Sequence, residues 1–202
     1  LRIRMLTRVS GSSTFSARAK SEIAEILANP SRYPIVATNA DNVQINIFNV
    51  STPINSAGFR TGLEDWNGNV AGKAMIDHMK TNGDPRLRVL FEPGLNANGQ
   101  YSGLDPLVPA TQQDAVIAAQ TVSLYNRSTV SRNRFFPGVL INSPEVHLML
   151  AEYQLGNGND AAAKMHYETA IKHSTDFYYG IRAISDDNTV AAPDVPTADE
   201  IN

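Results

Sequence analysis

The stretch from Ser143 to His173, SPEVHLMLAEYQLGNGNDAAAKMHYETAIKH, decides the fold. Ser143 offers a cap, and Pro144 takes the first helical position, where its missing N–H would be unpaired anyway. Val146, Met149, Leu150 and Tyr153 then recur at helical spacing on one face. Gly156-Asn157-Gly158 breaks that helix, and Asn159 or Asp160 restarts it with Ala163, Tyr167, Ala170 and Ile171 turned back toward the first. The pattern predicts a helical hairpin over 143–173.

Working outward, Leu1, Met5, Leu6 and Val9 predict a helix that Gly11 ends. Ser16 is the expected cap of a second, striped with Ala19, Ile23, Ile26 and Leu27 and closed by Asn29-Pro30. Segments 31–69 and 92–110 read as loop-rich. Within the first, Val43, Ile45 and Ile47 alternate with Gln44 and Asn46, predicting a strand whose apolar residues face inward. Val70 to Lys80 predicts a short helix stopped at Asn82-Gly83-Asp84-Pro85, and Arg86 to Glu92 alternates as a strand does. Thr111 with Asp114 resembles a capping box ahead of a helix over Val116 to Leu124. Loop is expected after Tyr179-Gly180, with one more helix from about Thr197. The fold class is mainly α, built from helical hairpins with long irregular loops and a few short strands, in a single domain over 1–202.

Composition narrows the chemistry. Lys and Arg number 17 against 20 Asp and Glu, a net charge of -3, so no broad positive field collects phosphates and nucleic acid is not an expected partner. With Cys 0, disulfides, thiolate metal sites and cysteine nucleophiles are excluded from this chain. No apolar run approaches the roughly 20 residues of a membrane helix. GNVAGK at Gly68–Lys73 has too few residues between its glycines for a phosphate loop, and Ala74 follows where Ser or Thr would hold magnesium. Gly156, Gly158 and Ala161 fit a dinucleotide pattern, but helix precedes them where a strand is needed. His78, His147, His166 and His173 lack metal-site spacing and read as surface residues. Glu64-Asp65 and Asp186-Asp187 are adjacent pairs, not the opposed carboxyls of a glycosidase; either could help hold a hard cation such as calcium with Asn67 or Asn188, though no EF-hand loop is present, and by default they read as solvated loop acids. No catalytic residue, metal or cofactor is expected.

Trp66 is the foremost candidate for binding. Flanked by Asp65, Asn67 and Gly68 in a polar loop, its indole offers a flat apolar face to a sugar ring while the neighbouring amide and carboxylate bond hydroxyls. Its alternative role is a plug folded back on the helices. Phe59 and Tyr101, each in glycine-containing loop sequence, are further ligand candidates of this kind. Tyr153, Tyr167, Phe177, Tyr178 and Tyr179 are expected in or near the helical core.

Leu150-Ala151, Ala163, Tyr167 and Ala170 resemble the tetratricopeptide repeat, although Gln154 stands where an aromatic is usual and the closing proline is missing. In order along the chain, LRIRMLTRVS, YPIVATNADN, MIDHMKTNGDPRL, FFPGVLINSPEVHLMLAE and AAAKMHYETAIKHSTDFYYGI together resemble the SusD/RagB family of bacterial outer-membrane nutrient-binding lipoproteins. The sharpest pieces are Asn82–Leu87, the Ser143–Val146 helix start leading into Leu150-Ala151-Glu152, and Tyr178–Ile181. The resemblance implies tetratricopeptide-like helix pairs and non-catalytic capture of glycans or peptides. It also implies a TonB-dependent transporter as partner and a lipid anchor at the cell surface. It further implies that these residues are the interior-to-C-terminal portion of a longer chain, whose N-terminal part would carry the anchor. A helical-repeat scaffold for protein partners, or a binder of peptides in place of glycans, is the alternative reading.

Overall fold

In a computed structural model the protein is described at residues 1–51, 53, 55–65 and 67–201. It is mainly helical with short strands. Its contacts divide it into two compact units, one of residues 1–45 and 138–174, the other of residues 46–137 and 175–202.

The first unit holds α1 (Arg2–Val9), α2 (Ser16–Ala28), β1 (Val43–Ile45), β4 (Gly138–Ile141), α7 (Ser143–Leu155) and residues 160–174 of α8 (Asp160–Ala183). Ile3, Ile26, Val146 and Leu150 form its buried core, with Leu6, Met149 and Ile141 packed around them. The stripes read for α2 and α7 meet there, but α1 departs from expectation: Leu1, Met5 and Val9 are exposed, and Ile3, with Leu6 beside it, packs on the core in their place. The cap of α7 falls one residue earlier than expected. The Asn142 side chain accepts the Glu145 N–H at 2.9 Å. The Ser143 hydroxyl is engaged elsewhere, by Ala37 and His173. Gly158, at φ 73°, makes the turn into α8, a conformation that side chains with a Cβ resist. Ser16 likewise lies inside α2, and Phe15 takes the cap position without a side-chain bond.

β1 pairs antiparallel with β4, with an irregularity between Val43 and Gln44. Val43 and Ile45, expected inward, are 46% and 52% exposed while Gln44 is half-buried. A two-stranded ribbon with a register break fixes its faces by pairing, so apolar alternation alone does not choose the buried side. The histidines also depart from expectation, since His147 is buried and its ring meets those of His166 and His173. Tyr167, expected near the core, is exposed.

The second unit holds α3 (Phe59–Glu64), α4 (Lys73–Thr81), α5 (Leu87–Leu90), β2 (Phe91–Glu92), α6 (Ala110–Ala118), β3 (Leu124–Tyr125), residues 175–183 of α8, and α9 (Ala198–Ile201). Ala71, Ile76, Met79 and Phe91 are its core cluster. The Phe91 ring lies 4.9 Å from that of Tyr125, its partner across the β2–β3 ladder. Asn82-Gly83-Asp84-Pro85-Arg86 is a structural joint. Gly83 sits at φ 61°, the Asp84 carboxylate accepts the Arg86 N–H and guanidinium, and the Tyr179 hydroxyl donates to the Pro85 carbonyl at 3.0 Å.

That joint explains why 86–92 is not the expected strand. Asp84 fixes the first amide of a helical turn, α5, and only Phe91 and Glu92 are extended. The helix expected over 116–124 is α6, which starts after Pro109 and ends before Gln120, at φ 55°. Leu124 pairs with Glu92 instead. The stretch expected to be irregular between 52 and 69 contains α3, and α8 runs past Gly180 to Ala183.

Candidate functional site

The polar surface of the second unit is organised by the segment Asn126 to Arg134, NRSTVSRNR, which alternates buried anchors with arginines. Asn126, Ser128, Thr129, Ser131 and Asn133 are buried. Asn126 Oδ1 accepts the Thr129 N–H at 3.0 Å, and Asn133 donates to the Ile181 carbonyl at 2.9 Å. Ser128 donates to Asp187 at 2.5 Å and accepts the Val190 N–H at 2.9 Å. These bonds hold the backbone as firmly as apolar contacts and leave no orphan amide at those positions, although the buried Thr129 hydroxyl itself has no partner among the described residues.

Three arginines project from this frame, each onto a carboxylate. Arg127 donates to Glu92 at 2.7 and 3.1 Å, and Arg132 to Glu64 at 2.9, 3.2 and 2.8 Å. Arg134 pairs with Asp186. Bidentate geometry fixes both planes of the Arg127–Glu92 and Arg132–Glu64 pairs, whereas Arg134 directs Nε and Nη2 to a single oxygen, Oδ2, of Asp186. The Ser131 hydroxyl adds a bond to Glu64 at 2.6 Å.

Glu64 closes α3, and Asp65 caps it. Asn67 follows at φ 54°, turning the chain sharply toward Asn69, whose carbonyl accepts the Tyr125 N–H at 2.6 Å. Two clefts open here, both lined by Arg132. One, of about 240 Å³, is bordered by Glu64, Asn67, Asn69, Gln120 and Arg127 over an apolar floor that includes Val122 and Leu124. The other, of about 330 Å³, is bordered by Arg60, Ser131, Arg134, Asp186 and Asp187.

Glu64 and Asp187 are held toward the ionised form. Hydrogen bonding from Arg132, against the opposing effect of burial, keeps Glu64 below the ordinary carboxylate range. Burial pushes Asp187 up, but bonds from Ser128 and Thr189 and the Arg132 charge outweigh it, and the net displacement is downward. A glycosidase needs one carboxyl kept protonated near neutral pH, and neither group is placed for that. Paired carboxylates, guanidinium groups and amides instead offer fixed acceptors and donors to hydroxyls.

Of the residues expected from sequence, Phe59, Asp65 and Asn67 lie on one short helix and the turn after it. Phe59 is partly exposed, with its ring 5.7 Å from that of Phe136. Asp65 is exposed, and Asn67 lines the smaller cleft. Trp66 lies outside the described residues. Tyr101 stands apart from these clefts, packed half-buried on the Ile76 and Phe91 cluster, where burial pushes its phenol up. Arg127, Arg132 and Arg134 escaped the sequence reading, although three arginines spaced among Ser, Thr and Asn in NRSTVSRNR were the available signal. Among the described residues, no group of three or more His, Asp or Glu is placed to hold a metal ion. No helix among them is long and apolar enough to cross a membrane.

Fold and clefts together describe a mainly helical protein with two polar clefts on its second unit. The profile of the SusD-like proteins, described as starch-binding and associating with the outer membrane, matches residues 1–194, and the chain belongs to that family. No curated sequence matches the chain. Solved structures agree on the fold. A SusD homologue from Bacteroides fragilis is similar at a TM-score of 0.77 and 20% identity, over 99% of this chain and 43% of that one. A SusD homologue from Bacteroides thetaiotaomicron is similar at 0.66 and 22%, over 88% and 34%. A structure described as a chitin-binding protein is similar at 0.68 and 18%, over 99% and 41%. The chain thus spans less than half the length of these relatives.

Proposed function

We propose that this chain is part of a non-catalytic glycan-binding protein at the bacterial cell surface, which captures oligo- or polysaccharide and hands it to a TonB-dependent transporter in the outer membrane. The family match over residues 1–194 carries this reading. In it, Asp65, Asn67 and the adjoining clefts take the glycan. Trp66 stacks on a sugar ring, while Asp65, Asn67 and the Glu64–Arg132 pair bond hydroxyls, with Phe59 adding apolar contact. Tyr101 is a candidate outside this patch. A lipid anchor on the N-terminal part of the full-length protein keeps the site at the membrane. Exposed Leu148, Leu155, Met165 and Tyr167 on the helical hairpin are apolar surface suited to the transporter.

A family described as starch-binding and a neighbour described as chitin-binding make soluble starch and chitin oligosaccharides the first ligands to test. Calorimetric titration of the full-length protein should give saturable binding to a glycan, and Trp66→Ala should weaken it by about 1–3 kcal/mol, the worth of one aromatic stacking contact. Unchanged affinity in Trp66→Ala would remove the indole from the site.

A further inference from the structure

In the first unit, His147, His166 and His173 form a hydrogen-bonded network whose proton positions the geometry determines. His147 Nε2 lies 2.9 Å from the Ala37 carbonyl, which only accepts, so Nε2 carries a proton. In the neutral ring Nδ1 is then an acceptor. It lies 2.9 Å from His166 Nδ1, which must donate. The Ser143 hydroxyl donates to the same Ala37 carbonyl at 3.0 Å, so it accepts from His173 Nδ1 at 2.8 Å. One carbonyl, on the segment between α2 and β1, thereby gathers bonds from α7 directly and from α8 through His147 and Ser143.

We propose that the His147–His166 bond is an acid-sensitive latch on the α7–α8 seam, closed while the pair holds a single Nδ1 proton and opened when both rings are charged. With both charged, two N–H groups and two cations face each other across the contact, and nothing remains to accept. The surroundings supply little compensation. One turn away on the helices stand Ser143, Pro144, Leu150 and Ala151 around His147, and Ala162, Ala163, Thr169 and Ala170 around His166. None of these is a carboxylate. His173 of α8 presents its ring edge to His147, 5.4 Å between centroids. On the intervening segment, Asp41 accepts the Thr38 N–H and hydroxyl, both at 2.8 Å. Glu145 of α7 is taken by Arg4. Burial and the neighbouring His147 both hold the His166 imidazole below its ordinary value.

A folded-state value below the unfolded one makes the neutral pair's stabilisation full above the unfolded pKa and lost as pH falls through the folded one. Hydrogen exchange followed by mass spectrometry tests this. From about pH 7 to about pH 5, after correction for intrinsic chemistry, opening of residues 33–42 and of the α7–α8 seam should rise about tenfold or more, against little change in the Ile76 and Phe91 core. His166→Gln keeps an N–H donor but no titratable ring, and should flatten that rise. An equal rise in His166→Gln would overturn the proposal. NMR titration of the unmodified protein decides it independently of the variant. Titration of the His166 ring below its ordinary value, in step with the opening of the seam, supports the latch, and titration of His166 at the ordinary value of about 6.5 contradicts it.

Discussion

Replacing Arg132 by alanine removes contacts of 2.9, 3.2 and 2.8 Å to Glu64 and one of 3.1 Å to the Thr189 hydroxyl. The carboxylate left behind is only 15% exposed and keeps the Ser131 hydroxyl and, at 3.6 Å, the Arg60 guanidinium as partners. Two unit charges about 4 Å apart attract by about 4 kcal/mol at the effective dielectric of a protein surface, which sets a ceiling. Desolvation already paid by both groups, and water entering the vacated space, bring the expected loss to about 2–3 kcal/mol. Urea unfolding near neutral pH measures it. A double-mutant cycle with Glu64→Gln separates the pair's coupling, expected at about 1.5–3 kcal/mol, from the packing of either side chain. The advantage also depends on pH. Because Glu64 sits lower in the folded than in the unfolded chain, its stabilisation is present above the unfolded pKa and lost as pH falls through the folded one. The gap between wild type and Arg132→Ala therefore narrows in acid. A coupling below about 0.5 kcal/mol, or a gap that widens in acid, would refute the view that this pair organises the clefts.

Other perturbations test the frame. Leu150→Ala empties the centre of the first unit's core, where Leu150 is 1% exposed, and should cost about 2–5 kcal/mol in thermal or urea unfolding. Asn142→Ala strips the side-chain cap from α7 and should cost about 1 kcal/mol, whereas Ser143→Ala tests the Ala37 and His173 contacts instead. Gly94→Ala would place a Cβ 2.4 Å from the Gln120 carbonyl and 2.6 Å from that of Val122, so one wall of the smaller cleft must shift. Lower stability together with altered glycan affinity is the expected outcome, measured by unfolding and titration.

The helical pairs were legible because each stripe and each stop is local. Val146, Leu150 and the Gly156–Gly158 turn state their roles within a few residues. Short apolar alternations were not. Leu87, Val89 and Phe91 fit a strand by period alone, and the bond from Asp84 to the Arg86 amide tips the segment into a helical turn. Val43 and Ile45 mislead for a related reason, since pairing with β4 fixes their face. The clefts were legible only in part. Asn67 lines the smaller cleft, but the ion pairs of the clefts join residues 68, 52 and 35 positions apart, Glu64 with Arg132, Arg134 with Asp186 and Glu92 with Arg127. No periodicity announces such pairings. His147 and His166, 19 apart on facing helices, were missed likewise.

The most direct measurement is calorimetric titration of the full-length protein with soluble starch, chitin oligosaccharides and a wider glycan panel, each mixture then analysed for released sugar. Saturable binding to a glycan with no product formed is the predicted result. Binding to none of them would contradict glycan capture, and released sugar would contradict a purely binding role.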